Sequence, residues 1–216
     1  MIDAKTIPSM AAAAAEQFGD GVAIVDGDTR LSYSEFVDDA RRFGAALVAT
    51  GIQPRDRVAI WAFNSAEWVI ALLGLSMAGA TLVPINTRWK GAEAADVLRR
   101  SRARLLVTVT DFLDTDYAAM LEDEELPELD TIVVARTDSW DEFLTRATPS
   151  ALDEVARRAA AITPGDSADI LFTSGTTGTR SRTWSTPAVP STQRNSSRAD
   201  LLRVVRLSAC YSQLRV

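Results

Sequence analysis

Asp169-Ile170-Leu171-Phe172-Thr173-Ser174-Gly175-Thr176-Thr177-Gly178 decides how this chain is read. Its first half is an apolar run of strand length, and its second half contains only glycine and hydroxyl residues. A strand running into such a loop is how α/β proteins present backbone N–H groups to an anion. Glycine lets the backbone close around the anion, and Ser or Thr hydroxyls add donors without bulk. The spacing is not that of the Walker loop, which places four residues between its glycines and ends in Gly-Lys-Ser/Thr.

Working backwards from this loop, strand and helix signals alternate. Val22–Val25 and Arg30–Ser32 flank Asp26-Gly27-Asp28, a hairpin pattern. Ser32 and Glu35 form an S-x-x-E capping box, and Tyr33, Phe36, Val37, Ala40, Phe43 and Leu47 recur at helical spacing up to a stop at Gly51. Val58–Trp61 reads as a strand. Trp68–Ile85 is almost wholly apolar, but Gly79 divides it into a helix, with Asn64 and Glu67 as its expected capping box, and the strand Thr81–Val83. That break argues against a membrane span. Further on, the pattern predicts helices over 91–100, 112–121 and 150–160 and strands over 105–109 and 131–135. Such alternation predicts a layered α/β domain with a largely parallel sheet and flanking helices.

Of the 216 residues, 23 are basic and 29 acidic, a net charge of −6, and 47% are hydrophobic. Disordered, collagenous and disulfide-stapled classes are thereby excluded. There is no histidine, which removes histidine acid–base chemistry and Ser-His-Asp triads, and the single Cys210 allows no internal disulfide. An acidic body does not suit nucleic acid. The Ala-rich start, with Asp3 and Glu16, reads as a short surface helix rather than a secretory signal, so a cytoplasmic protein without a membrane span is expected. Arg99, Arg100, Arg102 and Arg104 form a basic run, and 111–130 holds nine carboxylates and no cation. Each is expected to be a solvated face.

The loop and its upstream partners resemble the adenylate-forming ligases, in particular the fatty-acid–CoA ligase branch of acyl-CoA synthetases. Phe172 to Gly178 is similar to that family's phosphate-binding loop. Arg55-Asp56-Arg57-Val58-Ala59-Ile60, Asn64-Ser65-Ala66-Glu67, Ala71-Leu72-Leu73-Gly74, Ala78-Gly79-Ala80 and Val83-Pro84-Ile85-Asn86-Thr87-Arg88 resemble its motifs in order and spacing, as does Tyr33-Ser34-Glu35-Phe36 after a hairpin. The resemblance covers Ile7 to Gly178. It implies a two-step reaction in which a carboxylic, typically fatty, acid attacks the α-phosphate of Mg-ATP and coenzyme A then displaces AMP as the thioester forms. Thr173, Ser174, Gly175, Thr176, Thr177 and Gly178 would wrap the ATP phosphates. The resemblance supplies no catalytic residue, because the small domain with the adenylation lysine is not in the sequence, and no Mg²⁺ ligand is identified.

After Gly178 the likeness stops: Thr179-Arg180-Ser181-Arg182-Thr183 lacks the family's Lys-Gly, although Arg182 could stand in for the lysine. Up to Gly178 there are 16 basic and 28 acidic residues, a balance of −12; the remaining 38 residues hold seven Arg and one Asp, a balance of +6. Two units are therefore expected. Residues 1–178 form a partial AMP-binding N-terminal domain, and 179–216 a basic Ser/Thr/Arg-rich tail with periodicity only at Leu201–Leu207. An out-of-frame stretch, a basic tail for nucleic acid or anionic membrane, and ordered structure of a divergent enzyme are three readings of it. The first is favoured, because domain boundaries fall in linkers rather than inside active loops. A ligase of this kind, inactive as it stands, is the main expectation. A non-catalytic remnant that acts as an interaction module, and an adenylating enzyme that loads a carrier protein, are the alternatives.

Overall fold

A computed structural model describes residues 4–110, 112, 115–173 and 181–185. The chain opens with helix α1 (Ile7–Phe18), whose N-terminal Thr6 and Ser9 cap each other. The hairpin β1 (Val22–Asp26) and β2 (Thr29–Ser32) follows, and then α2 (Tyr33–Ala49). The Ser32–Glu35 capping box forms as the spacing predicts: Ser32 N–H donates to the Glu35 carboxylate at 2.8 Å, and Glu35 N–H to Ser32 Oγ at 3.2 Å.

The main sheet is built from β3 (Arg57–Trp61), β4 (Thr81–Pro84), β5 (Leu105–Thr108), β6 (Thr131–Val134), β7 (Asp169–Thr173) and β8 (Ser181–Ser185). Their spatial order is β6-β5-β3-β4-β7-β8. The first five in that order are parallel, while β8 pairs antiparallel with β7, placing Thr173 opposite Ser181. The layered α/β class is as expected. No sequence signal marks Ser181–Ser185 as a strand.

The connections follow from handedness. β3 reaches β4 through α3 (Ala66–Met77), whereas β4 reaches β5 in the opposite direction through α4 (Gly91–Ser101). Right-handed crossovers put these two helices on opposite faces of the sheet. From β6 the chain crosses to β7 through α5 (Asp138–Leu144) and α6 (Pro149–Ala161), which join α1, α2 and α3 in one helical layer. The central strands are covered on both sides, and Val58, Ala59, Ile60 and Trp61 are all buried. Near-continuous apolar strands are what this sandwiching requires. The apolar 68–85 segment is indeed a helix and a strand, and no helix among the described residues is long and apolar enough to cross a membrane.

Two expectations are corrected and two features added. The cap of α3 is Ser65, not Asn64: Ser65 Oγ accepts the Trp68 N–H at 3.2 Å, and Glu67 leaves the capping-box role to pair with Arg136 at 3.2 Å. The predicted helix over 112–121 shrinks to a 3₁₀ turn, Ala119–Leu121, because the Asp116 carboxylate caps Ala118 and Ala119 and Tyr117 is drawn towards Thr87. Helix α5 has no sequence prediction; it buries Trp140 and Phe143 against Phe43, with ring centroids 5.0 and 5.3 Å apart. The two charge runs are solvent-exposed, as expected, and they also pair with each other. Arg99 meets Glu124 at 3.0 Å, Arg102 meets Glu128 at 2.8 Å and Arg104 meets Asp130 at 2.7 Å.

Candidate functional site

Strands β3 and β4 send their following segments to opposite faces of the sheet. A crevice therefore opens beyond their carboxyl ends, the place where open α/β sheets bind ligands. The segment crossing this crevice is 85–90, between β4 and α4, and it is held from below by two aromatic side chains. Trp61, the last residue of β3, donates its indole N–H to the Asn86 carbonyl at 3.1 Å. Tyr117 donates its hydroxyl to the Thr87 carbonyl at 2.9 Å. The two rings pack with centroids 4.5 Å apart. Burial pushes the Tyr117 hydroxyl above its ordinary pKa, so it remains a donor at neutral pH.

Side-chain hydrogen bonds set the shape of this segment and its floor. Asn86 Oδ1 accepts the Arg88 N–H at 2.9 Å, closing a local turn. Thr108, at the end of β5 and fully buried, donates its hydroxyl to the Trp61 carbonyl at 3.0 Å, locking the ends of β3 and β5 together. Beside them Phe63 stacks on Phe112, centroids 4.6 Å apart, and the Arg136 guanidinium lies 5.0 Å above the Phe63 ring. Arg136 also contacts the carboxylates of Asp26 and Glu67, tying the β1–β2 hairpin to the start of α3 and the end of β6. No residue pattern announced Arg136, because its partners are distant in sequence and meet only in the fold.

Strand β7 delivers Thr173 to the same carboxyl edge, two strands from Trp61. Ser174, Gly175, Thr176, Thr177 and Gly178, the rest of the predicted phosphate loop, lie outside the described residues. The strand that leads into them, β7, lies parallel to β4 and ends at Thr173 on this edge. The donor set of glycine N–H groups and small hydroxyls suits a phosphate chain. Among the described residues no group of three or more Asp, Glu or Cys converges as a metal site, so no step is assigned to a divalent ion.

The opposite, amino edge of the sheet holds two cavities of about 320 and 340 Å³.

Comparison with known proteins bears on these features together. The family described as "AMP-binding enzyme" matches residues 11–180. A CoA ligase of Rhodococcus jostii (strain RHA1), named for a 7a-methyl-1,5-dioxo-octahydro-1H-inden-4-yl propanoyl group, is 43% identical over 184 residues, covering 80% of this chain and 36% of the relative. The crotonobetaine/carnitine–CoA ligase of Citrobacter koseri is 33% identical, covering 76% of this chain and 33% of the relative. Among solved structures, the inhibitor-bound N-terminal domain of FACL13 from Mycobacterium tuberculosis superposes with a TM-score of 0.71 at 28% identity, covering 85% of this chain and 44% of that one. The chain thus spans about a third of the length of the curated relatives it matches.

Proposed function

Since this chain belongs to the AMP-binding enzyme family, we propose that it carries the ATP-binding portion of an acid–thiol ligase. The observation that carries this reading is the delivery of Thr173 by β7 to the switch-point edge, beside the pinned 85–90 segment. Residues 173–178 would wrap the phosphate chain of ATP through backbone N–H groups and hydroxyls. A substrate carboxylate oxygen then bonds to the α-phosphorus as the bond from that phosphorus to the pyrophosphate oxygen breaks. A thiol, with coenzyme A as its carrier, next takes the acyl group and releases AMP. Preorganised donors aimed at the redistributing charge supply most of the stabilisation in such transfers.

The domain reading goes with this proposal: residues 1–178 as the family portion and 179–216 as a basic tail foreign to it. Within the first, the pinned 85–90 segment serves as a rigid wall beside the end of β7. The acyl substrate is a carboxylic acid. A straight-chain fatty acid is one candidate. The fused-ring propanoyl group in the names of two relatives at 43% identity is the other. The single cysteine fits a reducing compartment, hence the cytoplasm.

The experiment is carboxylate-dependent exchange of pyrophosphate into ATP. It would use an intact relative whose N-terminal portion is replaced by residues 1–178 of this chain. Gly175→Ala with Thr177→Ala should lower exchange by about a hundredfold or more, the scale seen when oriented donors are removed. Exchange that is unchanged in the double variant would overturn the assignment of the loop. A fatty acid and a fused-ring propanoate, offered in parallel, separate the two substrate classes.

A further inference from the structure

The amino edge of the sheet, away from the proposed ATP crevice, carries two adjoining chambers of opposite character. The first, about 340 Å³, lies below the C-terminal end of α4 and has four arginines in its wall, Arg55, Arg57, Arg100 and Arg102, with Thr81 and Ser101 between them. Among the described residues no carboxylate lines it. Arg57 is held only by carbonyls: Nε donates to Ser101 at 2.8 Å and Nη2 to Arg102 at 2.9 Å. Arg100 is held 5.3 Å above the Phe172 ring and reaches Asp96, one turn back in α4, at 3.3 Å. Arg102 and Arg55 reach Glu128 at 2.8 Å and Asp166 at 3.6 Å. Arg55 and Arg102 both hold left-handed backbone, φ 71° and 57°, where glycine is cheaper. Asp96 and Glu128, which pair with Arg100 and Arg102, are not in this wall, so an anion entering the chamber would share the guanidinium groups with those pairs.

The second chamber, about 320 Å³, shares Arg55 and Ser167 with the first. Its remaining wall joins apolar Pro8, Pro54, Ala80 and Ile162 to the Asp166 carboxylate, which pairs with Arg55 at 3.6 Å. Arg158 forms part of this wall, but its guanidinium is already engaged by Glu154 at 2.6 Å and by the Ile52 carbonyl at 2.8 Å, so it shapes the chamber rather than offering free donors. The two chambers thus adjoin at Arg55 and Ser167, one with proline faces suited to a flat ring and one walled by guanidinium groups.

We propose that the two chambers form a second ligand site, for an organic phosphate whose apolar or planar body fills the proline chamber and whose phosphates sit among the four arginines. It is independent of the loop at residues 173–178 and lies on the opposite edge of the sheet. Arginine is the appropriate cation, because its planar fork matches phosphate oxygens in pairs.

The test uses the full 216-residue chain with Gly175→Ala and Thr177→Ala, which takes away the loop's cradle. Binding is followed by calorimetry at constant ionic strength with three probes: ADP for head and body, inorganic pyrophosphate for head alone, adenosine for body alone. ADP should bind more tightly than pyrophosphate, and adenosine weakly. Arg55→Gln with Arg100→Gln should weaken ADP and pyrophosphate alike by about tenfold or more. Ala80→Leu, which narrows the apolar chamber, should bring ADP down to the level of pyrophosphate. Arg57 is left intact because it holds the end of α4, and circular dichroism confirms that each variant is folded. Equal binding by the parent and the arginine variants would overturn the proposal. So would binding of ADP only when the loop is intact, a result that leaves the loop reading standing. Failure of the loop variants to affect exchange, by contrast, overturns the loop reading and leaves this site untouched.

Discussion

Gly44 of α2 and Gly74 of α3 face each other where the two helices cross, and neither has room for a side chain. A Cβ on Gly44 would stand 2.7 Å from the Gly74 carbonyl oxygen, and one on Gly74 would stand 2.5 Å from the Ala40 carbonyl oxygen. Backbone rather than a flexible side chain is the obstacle, so the helices would have to separate. Gly74→Ala and Gly44→Ala should each destabilise the fold by about 1–3 kcal/mol despite alanine's better helix propensity. Urea unfolding measures this, and a neutral or stabilised alanine variant would refute the close crossing.

The 85–90 segment is pinned by Trp61 and Tyr117. Tyr117→Phe removes one donor while keeping the ring and should cost about 1 kcal/mol, whereas Trp61→Phe also removes part of a fully buried indole and should cost more, about 2–3 kcal/mol. Amide hydrogen exchange should quicken in the turn at Arg88 and Trp89 and stay unchanged in β3. A uniform increase across the sheet would mean general loosening instead.

Arg104 joins Asp56 at 2.9 Å and Asp130 at 2.7 Å, and also donates to the Gly51 carbonyl at 3.1 Å. These bonds hold its charge more firmly, raising its pKa. Arg104→Met should cost about 1 kcal/mol at low salt, and less as salt screens the pairs. A cost independent of salt would indicate that packing, not charge, is what the arginine supplies.

Acid stability should respond oppositely to two sets of carboxylates. Glu35 is held below the ordinary carboxylate range by hydrogen bonds from Ser32, and Asp166 by hydrogen bonds from Thr163. Each contributes stability that is present above the unfolded carboxyl pKa of about 4 and lost as pH falls through the folded value. Asp39 is pushed the other way by burial, ahead of the opposing charge of Arg42. Its ionised form therefore weakens the native state at neutral pH, and that penalty lifts as pH falls. Glu35→Gln and Asp166→Asn should flatten the acid limb of a stability–pH curve. Asp39→Asn should raise stability at pH 7 and steepen the limb. The same sign of change for all three would contradict these environments.

Much of this fold is legible locally. The Ser32–Glu35 box, the Asp-Gly hairpin turn and the apolar runs of β3, β4 and β5 depend on neighbours within a few residues, so their pattern is sufficient. The misreadings share a different cause. Glu67 is diverted from capping α3 by Arg136, which lies 69 residues away, and α5 is fixed by Phe43 from another helix. Arg99, Arg102 and Arg104 find carboxylates 25 or 26 residues ahead because the segments leading into the paired strands β5 and β6 run side by side.

By itself, then, the sequence determined the layered α/β class, the family and the strand that leads into the glycine-rich loop. Those rest on short-range spacing and backbone chemistry. Only the tertiary structure decided that Trp61 and Tyr117 hold the wall of the crevice, that the two charge runs are each other's partners, and that four arginines gather beneath α4. Each of these depends on strand order and crossover direction, which bring together residues whose separation along the chain carries no periodic signal.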